Sequence, residues 1–308
     1  MTTKWFGACA ALSTVVFGTA LGQQKGQYLL GMNGLNAGIQ PPPGFSYGNL
    51  STIYGASRLR GPDGMVVPTT GSFDMVINQN LFVYTSKFKM LGGTFGSVFD
   101  LVIANASLTA PVIGVASGGA GVSDIYVQPF TLGYHFSRAD LTVAFGFIAP
   151  TGRFTPDTSA TENIGSGYWG YLPSVASTIY LTKNRETTLS VFSAYEFHGK
   201  KRYTNITPGQ AVSFEWGFGQ LLPVRRNYLQ FGAVGYGQWQ TTVNSGSVPP
   251  AIRDAHYSVA AIGPQVTFMV PKWNLNIFAR YEPEFGASAR LEGNTLTIGG
   301  AIAFPVTK

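Results

Sequence analysis

The chain has 308 residues and a formal net charge of +6, and only 11% of its residues are charged. Soluble domains carry about a quarter charged residues, so this composition argues against an ordinary solvated surface. The 20 basic residues form no long stripe of the kind that nucleic-acid binding needs, so we expect no nucleic-acid partner. Low charge without long apolar runs is typical of a membrane β-barrel, in which lipid-facing and inward residues alternate.

Residues 1–22 have the pattern of a secretory signal peptide. Lys4 precedes an apolar stretch over residues 8–21, and small residues precede Gln23. A transmembrane helix is the alternative interpretation, but the stretch is shorter than the about 20 residues that span a bilayer. Cys9 is the only cysteine and belongs to this element, so we expect the mature chain to contain no disulfide and no thiolate metal site.

Residues 23–44 form a separate N-terminal segment. From Gln27 to Gly44 there is no charge, several glycines occur, and a run of three prolines ends any strand. One hypothesis is that this segment enters a barrel from the periplasmic side and plugs or narrows its lumen, with Asn33 and Asn36 bonding to inward polar groups. The alternatives are a thirteenth strand pairing or a loose periplasmic leader.

Residues 45–308 contain alternating segments at intervals that suit hairpins. We predict strands near 45–56, 73–86, 96–109, 122–136, 141–150, 170–182, 187–198, 211–221, 228–240, 257–270, 275–283 and 295–304. Short connections alternate with long ones, and 284–294 is predicted as a long loop. Outer-membrane barrels have short periplasmic turns, long extracellular loops and an even strand number. The predicted fold is therefore all-β, a transmembrane antiparallel β-barrel of about 12 strands in one domain.

The hairpin within residues 118–154 shows the pattern most clearly. Leu141, Val143, Phe145 and Phe147 alternate with small or polar residues, so one face of this strand is large and apolar. No helical stretch follows that could cover such a face, which makes lipid its expected partner. Pro129 cannot donate a ladder hydrogen bond, and we predict a bulge there that shifts the phase of its strand.

In several strands the charged residues share the parity of the small and polar positions, which predicts that they face the lumen. The candidates for lining the lumen or a substrate path are Asp124, Phe192, Glu196, Glu215, Tyr236, Gln238, Gln265, Phe278, Arg280 and Glu282. Aromatic members of this set could contact an aromatic solute. For the charged members, a network of ion pairs that fills a narrow barrel is the favoured alternative.

No catalytic residue, metal site or cofactor is predicted. His135, His198 and His256 lie in separate strands or at their ends, and no G-x-S-x-G nucleophile motif occurs. The sequence also lacks H-E-x-x-H and clustered aspartates. We therefore do not expect an enzyme.

Short motifs occur along the chain in a fixed order. They are G-L-N-A-G from Gly34, P-P-P-G from Pro41, L-G-G-T-F-G from Leu91, G-V-S-D-I from Gly121, P-T-G from Pro150 and I-G-P-Q from Ile262. In this order and spacing, they resemble a bacterial outer-membrane family named for the meta-pathway of phenol degradation. The resemblance implies a barrel in the bacterial outer membrane for passive uptake of small hydrophobic or aromatic, phenol-like compounds. Its partners would be outer-membrane lipid, such solutes and the barrel-assembly machinery.

A second function remains open. The barrel could be non-conducting, with a filled lumen, and act as a structural or surface-interaction protein through its long loops. A continuous apolar or aromatic track through the lumen would favour the channel, whereas a lumen crossed by paired charges without such a track would favour the second function.

Overall fold

The computed structural model describes residues 26–68, 71–110, 114–156 and 161–306. The predicted signal peptide, residues 1–22, lies outside the described residues, and so do the first three residues of the N-terminal segment.

Twelve long strands form one antiparallel sheet that closes on itself. They are β1 (Gly44–Arg60), β2 (Ser72–Met90), β3 (Gly93–Ala110), β4 (Ile125–His135), β5 (Ala139–Ala149), β6 (Gly170–Tyr180), β7 (Thr187–His198), β8 (Ala211–Val224), β9 (Asn227–Gln240), β10 (Ser258–Val270), β11 (Leu275–Ser288) and β12 (Leu291–Pro305). Each strand pairs with its sequence neighbours, and β12 pairs with β1 from Gly44↔Pro305 to Leu59↔Leu291. The ring has no open edge, and the predicted 12-stranded antiparallel barrel is confirmed.

The outer face of the barrel is apolar. The exposed large side chains include Phe45, Phe82, Phe99, Ile103, Phe145, Val175, Phe231, Val266, Ile277 and Ile298. They alternate along their strands with inward residues, as the two-residue period of a strand requires. A surface band of this size would promote aggregation in water, whereas in a bilayer it forms the lipid contact. Within the described ranges, no helix is both long and apolar enough to cross a membrane.

The predicted irregularity at Pro129 is confirmed. Pairing between β4 and β5 passes from Val127↔Phe147 directly to Phe130↔Phe145, so the register shifts across the proline. Val127 and Phe130 consequently share a face although three positions separate them. The bulge places the proline where no ladder hydrogen bond is needed.

The connections follow the predicted alternation except at one place. The short ones, at the end where Gly44 and Pro305 meet, span 91–92, 136–138, 181–186, 225–226 and 271–274. The predicted long loop at 284–294 is wrong, because β11 continues to Ser288 and β12 begins at Leu291. Phe285 pairs with β10, and Leu291 pairs with β1, so the loop residues extend the barrel wall instead.

Residues 26–43, which we call the lumen segment, lie inside the barrel. They contain turns and bends but no strand, so the thirteenth strand pairing considered for this region is wrong. Their polar groups bond to inward side chains of β6, β7, β8, β9 and β11.

Candidate functional site in the barrel lumen

One side of the lumen carries polar and charged side chains, which we call the polar wall. Its members are inward residues of β7–β11: Ser190, Glu196, Glu215, Gln230, Gln238, Gln265, Arg280 and Glu282. All are buried, and they alternate with lipid-facing residues such as Phe214 and Ile277. Because buried polar groups need hydrogen-bond partners, this wall requires something in the lumen to bond to.

Glu215 holds the lumen segment at three points. One carboxylate oxygen accepts hydrogen bonds from the Tyr28 hydroxyl and the Gly31 backbone N–H, each at 2.9 Å. The other oxygen accepts the Asn33 backbone N–H at 2.7 Å. Hydrogen bonds to a charged acceptor are about twice as strong as neutral ones. The carboxylate therefore replaces the backbone partners that this irregular segment lacks.

Glu196 and Arg280 act on either side of Glu215. Glu196 accepts the backbone N–H groups of Gln27 at 2.8 Å and Tyr28 at 3.1 Å. The Arg280 guanidinium donates to the backbone carbonyl of Asn33 at 2.7 Å and to that of Met32 at 3.2 Å. Thus acidic and basic side chains of the polar wall both form hydrogen bonds with the backbone of the lumen segment.

Asn33 and Asn36 both bond within the lumen. The Asn33 side-chain amide donates to the Tyr28 hydroxyl at 2.7 Å. The Asn36 amide donates to Gln230 Oε1 at 2.7 Å, and its backbone N–H donates to Ser190 Oγ at 2.9 Å. Asn36 has φ of 69°, in the left-handed region that asparagine tolerates better than most residues. Its side chain thus suits both the turn and the polar wall.

Gly38 lies directly against the backbone of the barrel. Its N–H donates to Thr178 Oγ1 at 3.0 Å. A Cβ at this position would lie 2.4 Å from the Thr178 backbone nitrogen and 2.5 Å from the Ser177 carbonyl carbon. Only glycine permits this approach, because the clashing atoms belong to a strand and cannot rotate away.

The opposite side of the lumen is the apolar wall, formed by inward residues of β2 and β3. Its buried members are Phe73, Met75, Ile77, Val102, Ala104 and Ala106, and Leu29 of the lumen segment packs against them. The outward residues of the same strands, such as Val76 and Phe82, are also large and apolar. Both faces of these strands are therefore apolar, one toward lipid and one toward the lumen.

A cavity of about 240 Å³ lies between the lumen segment and the apolar wall. Its apolar lining includes Tyr28, Leu29, Met32, Met75, Ile77, Leu81, Val98, Val102, Ala104, Tyr126, Ile148 and Phe192. Its polar lining includes Gln27, Asn33, Gln79, Asp100, Asp124 and Gln128. The lumen segment is thus bonded to one side of the barrel and leaves an apolar space on the other.

The sequence matches a protein-family profile over most of its length. The sequence profile described as "Putative MetA-pathway of phenol degradation" matches residues 56–298, most of the chain. The chain belongs to this family. No curated protein sequence matches it significantly.

Solved structures support the fold of this family member. An outer membrane channel from Pseudomonas putida F1 superposes with a TM-score of 0.71 at 12% identity, covering 87% of this chain and 98% of the other. The β domain of the Bordetella autotransporter BrkA superposes with a TM-score of 0.53 at 15% identity, covering 85% of this chain and 100% of the other. At these identities the likeness concerns the fold, which is that of outer-membrane barrels. With its apolar outer band, the phenol-degradation family member is a protein of the bacterial outer membrane.

The structure places the predicted site residues of this family member in two groups. Of the candidates for lining the lumen or a substrate path, Asp124 and Phe192 line the cavity, as does the plug candidate Asn33. The Phe192 ring stacks on Tyr28 with centroids 5.3 Å apart. The others face the lumen away from it: Glu196, Glu215, Tyr236, Gln238, Gln265, Phe278, Arg280 and Glu282. That any of them lines a substrate path stays a prediction.

Several members of the second group bond to one another or to the wall. Gln238 donates to Glu196 Oε1 at 3.1 Å, and Gln265 donates to Thr267 Oγ1 at 3.0 Å. The Arg280 guanidinium lies over the Phe278 ring, 4.7 Å from its centroid.

Tyr236 and Glu282 complete this group. The Tyr236 hydroxyl donates to Glu284 Oε1 at 3.2 Å. Glu282 lies beside the lumen segment, since a Cβ on Gly31 would be 2.6 Å from its Oε2. The buried ion pair near this group joins Arg290 to Glu284 at 3.1 Å, and neither residue was among the candidates.

Asp124 lies at the end of the cavity that faces the long loops. Its carboxylate accepts the backbone N–H of Gly152 at 3.0 Å and that of Ser166 at 2.7 Å, and it also accepts the Ser166 hydroxyl. Burial raises the pKa of this carboxyl, although the hydrogen bonds from Ser166 and Gly152 oppose the rise. Asp124 therefore ties two loops together at the mouth of the cavity.

The cavity residues of β2 and β3 were missed by sequence reasoning, which looked for a polar lumen. Met75, Ile77 and Val102 carry no charge and form no motif. The signal that could have found them is the loss of alternation, since neighbouring positions such as Val76 and Ile77 are both large and apolar. A strand with two apolar faces indicates apolar surroundings on both sides.

Proposed function

We propose that this protein is a passive outer-membrane channel for small hydrophobic or aromatic, phenol-like compounds and has no catalytic activity. The observation that carries the proposal is the apolar cavity of about 240 Å³ inside the lumen. Channels for ions and polar solutes need polar groups along their path, to replace lost water. A path beside Met75, Ile77 and Val102 instead favours a solute that gains free energy by leaving water.

The family description points to the same class of solute, because it refers to phenol degradation. The name of the Pseudomonas putida neighbour, an outer membrane channel, agrees with a conducting role. Assembly of this barrel by the barrel-assembly machinery, and contact with outer-membrane lipid, form part of the proposal.

The lumen segment acts as a plug in this proposal. Its bonds to Glu196, Glu215 and Arg280 keep it on the polar wall, where it fills the hydrophilic part of the cross-section. Water and ions then meet a closed lumen, while the apolar side retains space. The roles of the polar wall and of Asn33 and Asn36 are to position this plug.

The second candidate function is a non-conducting barrel that acts through its loops. The buried bonds between the polar wall and the lumen segment favour it, because they hold the lumen closed to polar solutes. The apolar cavity argues for the channel, since a purely structural filling would be expected to pack this space to native density.

Uptake by cells tests the proposal. Labelled phenol would be supplied to a porin-deficient Gram-negative host that makes either the full chain or an unrelated closed barrel of similar size. We expect faster phenol entry with the full chain, and no gain for a charged sugar. Equal phenol entry in both strains, with both barrels folded in the outer membrane, would favour the non-conducting function.

A further inference from the structure

Two polar residues of the cavity lining, Asp100 and Gln27, each have a buried oxygen without a hydrogen-bond partner, and Asp100 is the carboxylate of the two. Asp100 is inward on β3 and only 1% exposed. Its Oδ2 accepts the Gln79 side-chain amide at 2.9 Å. Its Oδ1 is buried and makes no hydrogen bond, although the backbone N–H of Asn80 lies close to this carboxylate. Asp100 is part of the cavity lining. A buried carboxyl oxygen of this kind is rare, since nearly all such atoms are bonded to something.

Two polar side chains beside Asp100 in the lining, Tyr126 and Gln128, already have hydrogen-bond partners. The Tyr126 hydroxyl donates to Gln128 Oε1 at 2.7 Å, and the Gln128 amide donates to Thr131 Oγ1. A buried water needs two to four polar partners, and much of the surrounding lining consists of residues such as Met75 and Val102. The site therefore suits one donor carried on an apolar body better than it suits water.

The size of the cavity fits one aromatic ring. An engineered apolar cavity of about 150 Å³ takes up benzene, and this cavity of about 240 Å³ is larger. The stacked pair of Tyr28 and Phe192, with an interplanar angle of 20°, contributes aromatic surface to the lining. A single substituted ring has room here, whereas a polycyclic compound would not fit without movement of the lumen segment.

We propose that the cavity is a binding site for a neutral aromatic alcohol whose hydroxyl donates to Asp100 Oδ1. The ring would lie among the apolar side chains of β2 and β3, including Met75, Ile77 and Val102. This inference rests on the proposed function and adds a selectivity to it: a phenol binds more tightly than a ring of similar size without a donor. Gln79 holds the other carboxyl oxygen and orients the side chain.

Binding to the full chain in lipid nanodiscs tests the site. Equilibrium dialysis would compare phenol with anisole and toluene, with binding to empty nanodiscs subtracted. We expect the unaltered protein to bind phenol more tightly than either. In Asp100→Leu, phenol affinity should fall about tenfold or more, because a bond to a charged acceptor is lost, while toluene affinity is kept or increased. Equal affinities for phenol and anisole in the unaltered protein would overturn the proposal.

Asp74→Leu is the matched control, since Asp74 is an exposed aspartate on the neighbouring β2. Its phenol affinity should equal that of the unaltered protein. If Asp100→Leu does not give a folded barrel, crystals of the unaltered protein soaked with 4-bromophenol decide the question. The bromine anomalous signal should place the ring in the cavity with its hydroxyl at Asp100. A ring found elsewhere, or none, contradicts the proposal.

The site and the channel can fail separately. The site would be ruled out, and the channel kept, if the unaltered protein shows no preference for phenol in binding and cells that make Asp100→Leu still take up phenol. The channel would be ruled out, and the site kept, if the phenol preference in binding depends on Asp100 but cells that make the unaltered protein do not take up phenol.

Discussion

The carboxylate of Glu215 accepts the backbone N–H of Asn33 at 2.7 Å, across 182 positions of sequence. Glu215 belongs to the wall of the barrel, and Asn33 belongs to the lumen segment. The same carboxylate also accepts hydrogen bonds from the backbone N–H of Gly31 and the hydroxyl of Tyr28. A stretch without its own helix or strand must find partners for its backbone groups elsewhere, and here the charged side chains of the wall supply them.

Replacing Glu215 with glutamine should loosen the lumen segment without unfolding the barrel. Glutamine has one acceptor oxygen, so one side of the carboxylate becomes a donor that faces the N–H of Asn33 or Gly31. Each lost bond to a charged acceptor removes about 1.5–3 kcal/mol from the docking of the segment. We expect more frequent open events in planar bilayers for Glu215→Gln.

Glu186→Gln provides the control, because Glu186 lies in the connection between β6 and β7 and makes no hydrogen bond to the lumen segment, residues 26–43. Its frequency of open events in planar bilayers should equal that of the unaltered protein. If Glu215→Gln gives a folded barrel with the same frequency of open events as the unaltered protein, the carboxylate does not hold the lumen segment in place.

Deleting residues 27–40 should raise single-channel conductance. The deletion removes the groups that bond to the polar wall, while β1 to β12 retain their closed pairing. Water then hydrates the polar wall, and ions can pass. The measurement is conductance in planar bilayers, together with heat-modifiable migration to show that the barrel is intact. Unchanged conductance of an intact barrel would remove the plug role.

Gly38→Ala should displace the lumen segment by steric contact alone. The added methyl group would meet the backbone of Ser177 and Thr178 at 2.4–2.6 Å. Overpacking of this kind costs about 1–3 kcal/mol, and the segment can avoid the cost by moving. Limited proteolysis should therefore cut within residues 26–43 faster in the variant. Gly48→Ala is the control, since a Cβ there has only ordinary contacts from 3.7 Å outward.

The barrel could be predicted from the sequence because its rules are local. A two-residue period and turn residues place each strand, and the parity of charges such as Glu215 and Arg280 shows which face is inward. The presence of the lumen segment inside the barrel could be proposed from its glycines and lack of charge. Its individual bonds could not, because they depend on the relative depth of residues far apart in sequence.

The apolar cavity escaped prediction for a different reason. Parity assigns Met75 and Ile77 to one face and Val76 to the other, but both faces are apolar, so polarity gives no contrast. The prediction of a loop at 284–294 was also wrong. The alternation of short and long connections predicted a long loop there, whereas pairing with β10 and β1 on either side keeps these residues in the wall.

Val191→Arg should destabilise the barrel through lipid contact. Val191 lies in the middle of β7 and pairs with Ser177 and Trp216. An arginine facing lipid at mid-membrane costs about 2–4 kcal/mol, whereas near an interface it costs about 0–1 kcal/mol. Thr187→Arg, on the same face at the end of β7, is the depth control. Urea unfolding in lipid vesicles should separate the two variants, and equal losses would show that Val191 does not lie at mid-depth.

Ala104→Trp should block uptake by filling the cavity. Ala104 is an inward residue of β3, 5% exposed, and lines the cavity. An indole group there would occupy much of the space of about 240 Å³ beside Met75 and Ile77.

The matched control for this cavity-filling variant is Ile103→Trp. Ile103 is adjacent on β3 and faces lipid, so the same indole group would lie in the bilayer, where tryptophan is accepted. Phenol entry into cells should fall toward that of cells without the barrel for Ala104→Trp and stay unchanged for Ile103→Trp. Both barrels should show the same heat-modifiable migration. If Ala104→Trp folds and still passes phenol at the original rate, the solute takes another path through the lumen, because the space that remains beside the indole would be too narrow for a ring.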